Sequence, residues 1–232
     1  MTRFVHYGRD KRRFVRRMFG EITQRYDLTN RVLTLGMDTR WRRRLAAILG
    51  VQAGDRVLDL ACGTGDVALQ IGRCQPHCRV VGADPIPGML SRAAEKFPPL
   101  VAVCCEGEAL PFRENAFQAV TIAFGVRNFG YLEKGLQQIY RVLAPGGRLG
   151  ILEFALPDRG RCQRFYRWYL TGVLPRLGAL FSRGYAYQYL TESINHFPAP
   201  ADFMDLLVSV GFTRMNIRRF LGGAVWIYCG RK

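Results

Sequence analysis

From Val57 to Asp66 the chain reads Val-Leu-Asp-Leu-Ala-Cys-Gly-Thr-Gly-Asp, a stretch that concentrates residue types able to hold a small charged ligand. Gly63 and Gly65 let the backbone run within contact distance of a ligand, where a Cβ would collide. Asp59 and Asp66 put a carboxylate on either side of the glycine turn. In the dinucleotide fingerprint G-x-G-x-x-G, a pyrophosphate sits on a helix N-terminus. Here the carboxylates would repel a phosphate and attract a cation such as an ammonium or sulfonium. The expected ligand is therefore nucleoside-like at one end and positively charged at the other. The structural alternative is a tight strand-to-helix turn in some other α/β protein.

A second acid sharpens this reading. Asp84 ends an apolar run, 79–84, and lies 19 residues after Gly65. An acid at that offset and at a strand's carboxyl end can accept hydrogen bonds from ribose hydroxyls. Its alternative is a cap on a helix over 87–95. S-adenosylmethionine combines a ribose with a sulfonium and fits both features. Glu106 follows the run 101–105, and an acid followed by a backbone amide at that place could read an adenine edge. Arg127 and Asn128 follow the apolar run 117–123, where open parallel sheets bind ligands near the topological switch. Tyr26, Asp27 and Asn30 could form a lid or cap a helix. Cys74-x-x-His77-Cys78 reads as a polar turn rather than a metal site, and no metal is expected.

These residues need elements to hold them. Strands are expected at 56–60, 79–84, 101–105, 117–123 and 149–154, with helices between them, which predicts a parallel α/β sheet. A helix is expected at 42–49, and another from Lys11 with Phe14, Val15, Met18, Phe19 and Ile22 on one face. Its opposite face is basic, so it either lies on a membrane surface or packs on the domain with a solvated Arg face. Residues 157–200 break the alternation. Their aromatic run, with Phe165, Trp168, Tyr185, Tyr187 and Tyr189, reads as a helical cover over the substrate, or as ordinary core helices. A helix at 201–210 and a hairpin of 213–220 with 224–229 end the chain. The organisation is one domain over 1–232, with a basic helical cap at 1–50.

Composition bounds the function. At 232 residues, 49% hydrophobic and 22% charged, the chain suits a soluble globular domain. No stretch is apolar enough to span a bilayer, and the basic N-terminus has no apolar core behind it, so the expected address is cytoplasmic, with peripheral attachment to the inner membrane face left open. The net charge is +16, and residues 1–44 contribute +9 of it. This favours an anionic surface, or reflects a coding preference for Arg. Seven cysteines, an odd number without two C-x-x-C pairs, support neither a disulfide frame nor a zinc site.

Taken together, Tyr26-Asp27-x-x-Asn30, the 57–66 turn, Ala83-Asp84, Glu108-Ala109-Leu110-Pro111-Phe112 and Phe124-Gly125-Val126-Arg127-Asn128 resemble the quinone C-methyltransferases of menaquinone and ubiquinone biosynthesis. So do Tyr140-Arg141-Val142-Leu143-x-Pro145-Gly146-Gly147, Leu152-Glu153-Phe154, Leu174-Pro175-Arg176-Leu177-Gly178, Tyr189-Leu190-x-Glu192-Ser193-Ile194 and Gly211-Phe212. The resemblance runs from about residue 14 to the end. It implies the class I S-adenosylmethionine-dependent methyltransferase fold, a doubly wound, seven-stranded, mostly parallel sheet with an antiparallel last strand. Motif I of that class has Gly where this chain has Ala61. The resemblance places methyl-donor contacts on Thr64, Asp84, Glu106, Gly107 and Ala123, beside Asp59, Gly63 and Gly65 of the turn. Glu106-Gly107 departs from the Asn-Ala or Asp-Ala of many relatives, and Ala123 offers only backbone.

The implied chemistry is C-methylation of a reduced, prenylated quinone: demethylmenaquinol to menaquinol, or the equivalent ubiquinone- or phylloquinone-pathway step. Arg127 would stabilise the ring oxyanion, with Asn128, Tyr26 and Asp27 orienting the ring or relaying a proton. Asp59 would offset the sulfonium charge. The rivals are an RNA or other small-molecule methyltransferase and a basic protein that binds membrane or nucleic acid without catalysis. Against RNA, Ala123-Phe124-Gly125-Val126 stands where base-amino methyltransferases often show an Asn/Asp-Pro-Pro-aromatic block. No specific nucleic-acid partner is expected. An anionic membrane surface and an oligomer stay open.

Overall fold

The computed structural model describes residues 4–156, Gly172 and 185–232. Three helices come first, α1 (Gly8–Ile22), α2 (Tyr26–Thr34) and α3 (Met37–Leu49). The alternating unit follows: β1 (Arg56–Leu60), α4 (Asp66–Cys74), β2 (Arg79–Asp84), α5 (Pro87–Lys96), β3 (Val101–Cys104), β4 (Phe117–Ala123), α6 (Leu132–Val142) and β5 (Leu143–Phe154). The described chain closes with α7 (Tyr185–His196), α8 (Pro200–Val210), β6 (Thr213–Phe220) and β7 (Val225–Arg231). Most of the predicted cover, including Phe165 and Trp168, lies outside the described residues; α7 is its described end.

One seven-stranded sheet runs in the order β3-β2-β1-β4-β5-β7-β6. All pairs are parallel except those of β7, which is antiparallel to β5 and β6. The connection from β6 to β7 is too short for a crossover, so it can only reverse the chain. Gly222 and Gly223 make that reversal at φ 62° and 99°. Period-2 alternation sorts the strand residues onto two cores. Leu58, Leu60 and Ile122 pack with Leu136 and Ile139 of α6 and Phe203 of α8. Val57, Val80 and Ala119 pack on the other face with Leu45 of α3, Ile71 of α4 and Leu90 of α5.

Two elements begin earlier than their sequence signals. β5 starts at Leu143, because Leu143 pairs with Phe117 before the Pro145-Gly146-Gly147 turn bulges out and pairing resumes at Arg148. α3 starts at Met37, because Leu35 and Gly36 both adopt left-handed backbone (φ 51° and 74°) and end α2 directly before it.

The apolar face of α1 is packed against protein. Val15 and Met18 are buried and meet Tyr189 and Ala186 of α7. Such burial contributes roughly 1.5–3 kcal/mol per side chain. Of the two readings of this helix, the structure has the packed one, with Arg9, Arg13, Arg16 and Arg17 outward. No helix among the described residues is long and apolar enough to cross a membrane.

Candidate active site at the carboxyl edge of the sheet

The chain runs β1 to β3 towards one side of the sheet and returns to place β4 beside β1, which opens a crevice beyond their carboxyl ends. A cleft of about 690 Å³ fills it. Its floor comes from Leu60, Ala61, Gly63, Ala123, Phe124 and Gly125, and its cover from Arg12, Val15, Arg16 and Phe19 of α1. Ala61 and Phe124 both line it with left-handed backbone, φ 52° and 58°. A Cβ on Gly125 would come within 2.6 Å of the Ala61 methyl group. Gly125 therefore makes room for alanine at a left-handed position that glycine would fill with less strain.

The turn residues divide between lining the cleft and shaping it. Gly63 lines it, with Tyr26 opposite. Gly65 (φ 80°) is needed for packing: a Cβ there would lie 2.9 Å from Cβ of Ala93 on α5. The expectation that Asp59 faces the ligand's cation is not met. Parity turns it towards α4, where its carboxylate accepts from the Ala68 N–H (3.1 Å) and the Thr121 hydroxyl (2.9 Å). Burial pushes this carboxyl up to about 7, against the pull of those two hydrogen bonds. Thr64 donates its hydroxyl to Asp27. Lys96 ties Asp27 (2.7 Å), Thr64 (3.0 Å) and Asp66 (2.6 Å) together. Asp27 and Thr64 therefore latch α2 onto the turn rather than face the cleft, and Tyr26, the residue beside Asp27, is held in its wall.

Asp84 lies in the wall at the end of β2. Its Oδ2 accepts from the Gly63 N–H (2.9 Å) and its Oδ1 from the Ile86 N–H (3.0 Å). It does not cap α5, whose N-cap is Ile86. Burial raises its carboxyl to about 6, while the two N–H groups oppose the rise. Glu106 and Gly107 line the next part of the wall. Burial also raises Glu106, and Arg16 reaches across the mouth to it at 3.5 Å. A Cβ on Gly107 would lie 2.6 Å from the Phe129 ring, so that loop passes the cleft only as glycine.

Val126–Asn128 form a 3₁₀ turn after β4. Asn128 lines the cleft. The Arg127 side chain turns inward instead, and its NH1 donates to Glu153 Oε1 (2.6 Å) and the Phe124 carbonyl (2.7 Å). Its Nε is buried and has no partner among the described residues. Lys11 donates to the Arg127 carbonyl at 2.8 Å and stitches α1 onto this turn. Burial and the nearby Arg127 charge bring Lys11 down to about 8. Glu108 accepts from the N–H groups of Gly130 (2.7 Å) and Tyr131 (3.2 Å) and holds the Glu106-Gly107 loop to the start of α6.

Sequence reasoning missed Lys11, Lys96 and Met89 at this site. Val15 and Phe19 were visible as an apolar face, but nothing in the spacing says that the face roofs a cleft. Among the described residues no group of three His, Cys, Asp or Glu side chains could hold a metal ion. The stretch around His77 is a turn, with the His77 N–H donating to Gln75 at 3.3 Å.

The model of the ubiE/COQ5 methyltransferase family matches residues 7–232. The chain belongs to that family. It is 49% identical to the demethylmenaquinone methyltransferase of Thermus thermophilus, over 84% of this chain and 91% of that one. It is 42% identical to the ubiquinone/menaquinone biosynthesis C-methyltransferase UbiE of Geobacter sulfurreducens, over 94% and 88% of the two chains. A SAM-dependent methyltransferase from Thermotoga maritima shares the fold, with a TM-score of 0.67 at 16% identity over 94% of this chain and 99% of that one. Membership makes the chain an S-adenosylmethionine-dependent methyltransferase and removes the reading as a basic protein without catalysis. The cleft suits the methyl donor. Asp84 has lone pairs beyond those taken by Gly63 and Ile86 for two adjacent hydroxyls. Ile86, Met89 and Phe129 offer apolar walls for a purine.

Proposed function

We propose that this quinone C-methyltransferase of the ubiE/COQ5 family acts on a ring carbon of a reduced, prenylated naphthoquinone and converts demethylmenaquinol to menaquinol. The observation that supports this reading is the β4 exit, where Asn128 lines the cleft on a 3₁₀ turn whose Arg127 is braced from behind by Glu153. The Asn128 carboxamide is the polar group of that turn which a quinol oxygen in the cleft can meet. The 49% identity to a demethylmenaquinone methyltransferase supports the choice of a naphthoquinone.

S-adenosylmethionine, when bound, supplies an electrophilic methyl group. Asp84 accepts from the ribose hydroxyls, Glu106 and Gly107 border the base, and Gly63 and the Ala123 backbone border the methionine part. Asp59, Thr64 and Gly65 fix the shape of the turn. A quinol carbon becomes nucleophilic as its neighbouring hydroxyl ionises. Arg127, turned inward onto Glu153, braces the turn that presents Asn128 to that oxyanion. Glu153 holds the guanidinium in place at 2.6 Å. Tyr26 borders the ring, and Asp27 keeps Tyr26 there through Thr64 and Lys96. Holding the carbon in line with the methyl group supplies much of the remaining acceleration.

A prenylated substrate dissolves in membrane, and the enzyme docks on an anionic bilayer surface peripherally. Leu28 (57% exposed) and Leu35 (85% exposed) on and just after α2 support this, with exposed Arg31 between them. The reaction is tested with labelled S-adenosylmethionine and a panel of reduced demethylated naphthoquinones and benzoquinones. Label in the ring of demethylmenaquinol is expected. Label in benzoquinols alone would move the assignment to the ubiquinone pathway, and label in neither would reject it.

A further inference from the structure

Asn128 is held by two groups of different chemistry. Its Nδ2 donates to the Phe124 carbonyl at 3.4 Å, and its Oδ1 accepts from the Tyr189 hydroxyl at 3.1 Å. A carbonyl oxygen can only accept, so the amide nitrogen must face Phe124 and the amide oxygen must face Tyr189. The two bonds agree on one orientation of the carboxamide. Phe124 directly follows β4 and is fixed by its N–H, which donates to the Leu152 carbonyl of β5 at 2.7 Å, while Tyr189 comes from α7, far away in sequence. Tyr189 is itself fixed. It is 1% exposed, with its ring against Phe14 (5.2 Å between centroids) and edge-on to Phe4 (5.8 Å). Burial pushes its phenol well up, so it stays protonated and donates.

We infer that Tyr189 is a positioning residue, which locks the Asn128 carboxamide with its oxygen turned to α7 and its second N–H turned to the cleft. Asn128 then meets the substrate as a hydrogen-bond donor. A donor at that place favours the quinol oxygen as it gains negative charge, whereas the flipped amide would present its own oxygen and repel it. The inference rests on the β4 exit being the place of the quinol oxygen, as proposed above.

The experiment is a double-mutant cycle on the full chain, read as kcat and KM for demethylmenaquinol and as Kd for S-adenosylmethionine. Tyr189→Phe keeps the ring packed on Phe4 and Phe14 and removes only the hydroxyl. It is expected to lower kcat about tenfold, the size of one lost hydrogen bond, with Kd for the methyl donor unchanged. In an Asn128→Ala background the same change should cost nothing more. Asn128→Asp keeps an acceptor for Tyr189 but has no N–H, and should lose about 10²–10³ in kcat. Equal loss from Tyr189→Phe in both backgrounds would overturn the inference, as would full turnover by Tyr189→Phe or by Asn128→Asp. If Tyr189→Phe does not fold, the Asn128→Asp result decides alone. Failure of the wild type to methylate any quinol would instead reject the substrate assignment, so the two failures are distinct.

Discussion

Asp84 shapes the fold, pinning the Gly63 turn and the Ile86 amide, and also borders the cleft proposed for the methyl donor. Asp84→Ala removes an acceptor from the ribose hydroxyls, and hydrogen bonds to a charged group contribute roughly 1.5–3 kcal/mol. Calorimetry should show S-adenosylmethionine binding weaker by about 10–150-fold. Unchanged affinity would take Asp84 out of the site. A pH series tests the same point. Its folded pKa is raised to about 6 by burial, so the carboxylate is mostly ionised at neutral pH and protonates as pH falls through about 6. A ligand that needs the ionised form should therefore lose affinity below about pH 6, approaching tenfold per pH unit. The sign for the free protein is opposite: ionising a carboxylate whose folded pKa is raised costs stability as pH rises through that range.

The elements meet at glycines whose reasons differ. Gly65 begins α4 against α5, and both its φ of 80° and the 2.9 Å approach to Ala93 exclude a Cβ. Left-handed strain of about 1–2 kcal/mol and overpacking of about 1–3 kcal/mol combine in Gly65→Ala. For a chain of this size that lowers Tm by roughly 4–20 °C. At Gly63, φ is 52° but the nearest atom to a Cβ is Tyr26 Cε1 at 3.9 Å. Gly63→Ala should therefore lose less stability and more affinity for the methyl donor. Thermal melts with binding curves for the two variants check this contrast, and a larger Tm loss for Gly63→Ala would contradict it. The helix–helix contact of α1 with α7 matters in the same way: it brings Tyr189 to Asn128 and roofs the cleft with Val15 and Phe19.

At the scale of the whole molecule, charge and exposed apolar groups act together. In the peripheral docking proposed above, the net charge of +16 would attract anionic lipid at about 1 kcal/mol per basic residue near the surface, and salt would screen that attraction. With the apolar face of α1 packed inside, Leu28 and Leu35 are the side chains proposed to enter the headgroup layer, among exposed apolar residues that also include Tyr7, Val101, Val208 and Leu221. Co-sedimentation with anionic vesicles should fall as salt rises, and it should fall further in a Leu28→Asp, Leu35→Asp double variant that keeps its Tm and its binding of S-adenosylmethionine. Equal pelleting of variant and wild type would place the contact elsewhere on the surface.

Local signals sufficed for much of this protein. Mostly apolar runs of five to seven residues, each followed within three residues by Gly or Pro, marked β1, β2 and β4 with their bounds, because a strand buried on both faces is largely apolar. The glycine turn and Asp84 at its fixed offset marked the cleft proposed for the methyl donor for a similar reason: strand length and crossover length set where an acid at the end of β2 stands relative to the turn. Side-chain direction was not legible. Asp59 is one residue from a cleft-lining position, yet the two-residue period of the strand turns it into the core beside Ala68 and Thr121. Arg127 stands beside the cleft-lining Asn128 in sequence, but only packing reveals that its guanidinium is held by Glu153, 26 residues on. The same holds for Lys11 on Arg127, Lys96 on Asp27 and Tyr189 on Asn128. Each joins elements far apart in the chain, and a partner chosen by three-dimensional packing leaves no period or spacing for the sequence to show.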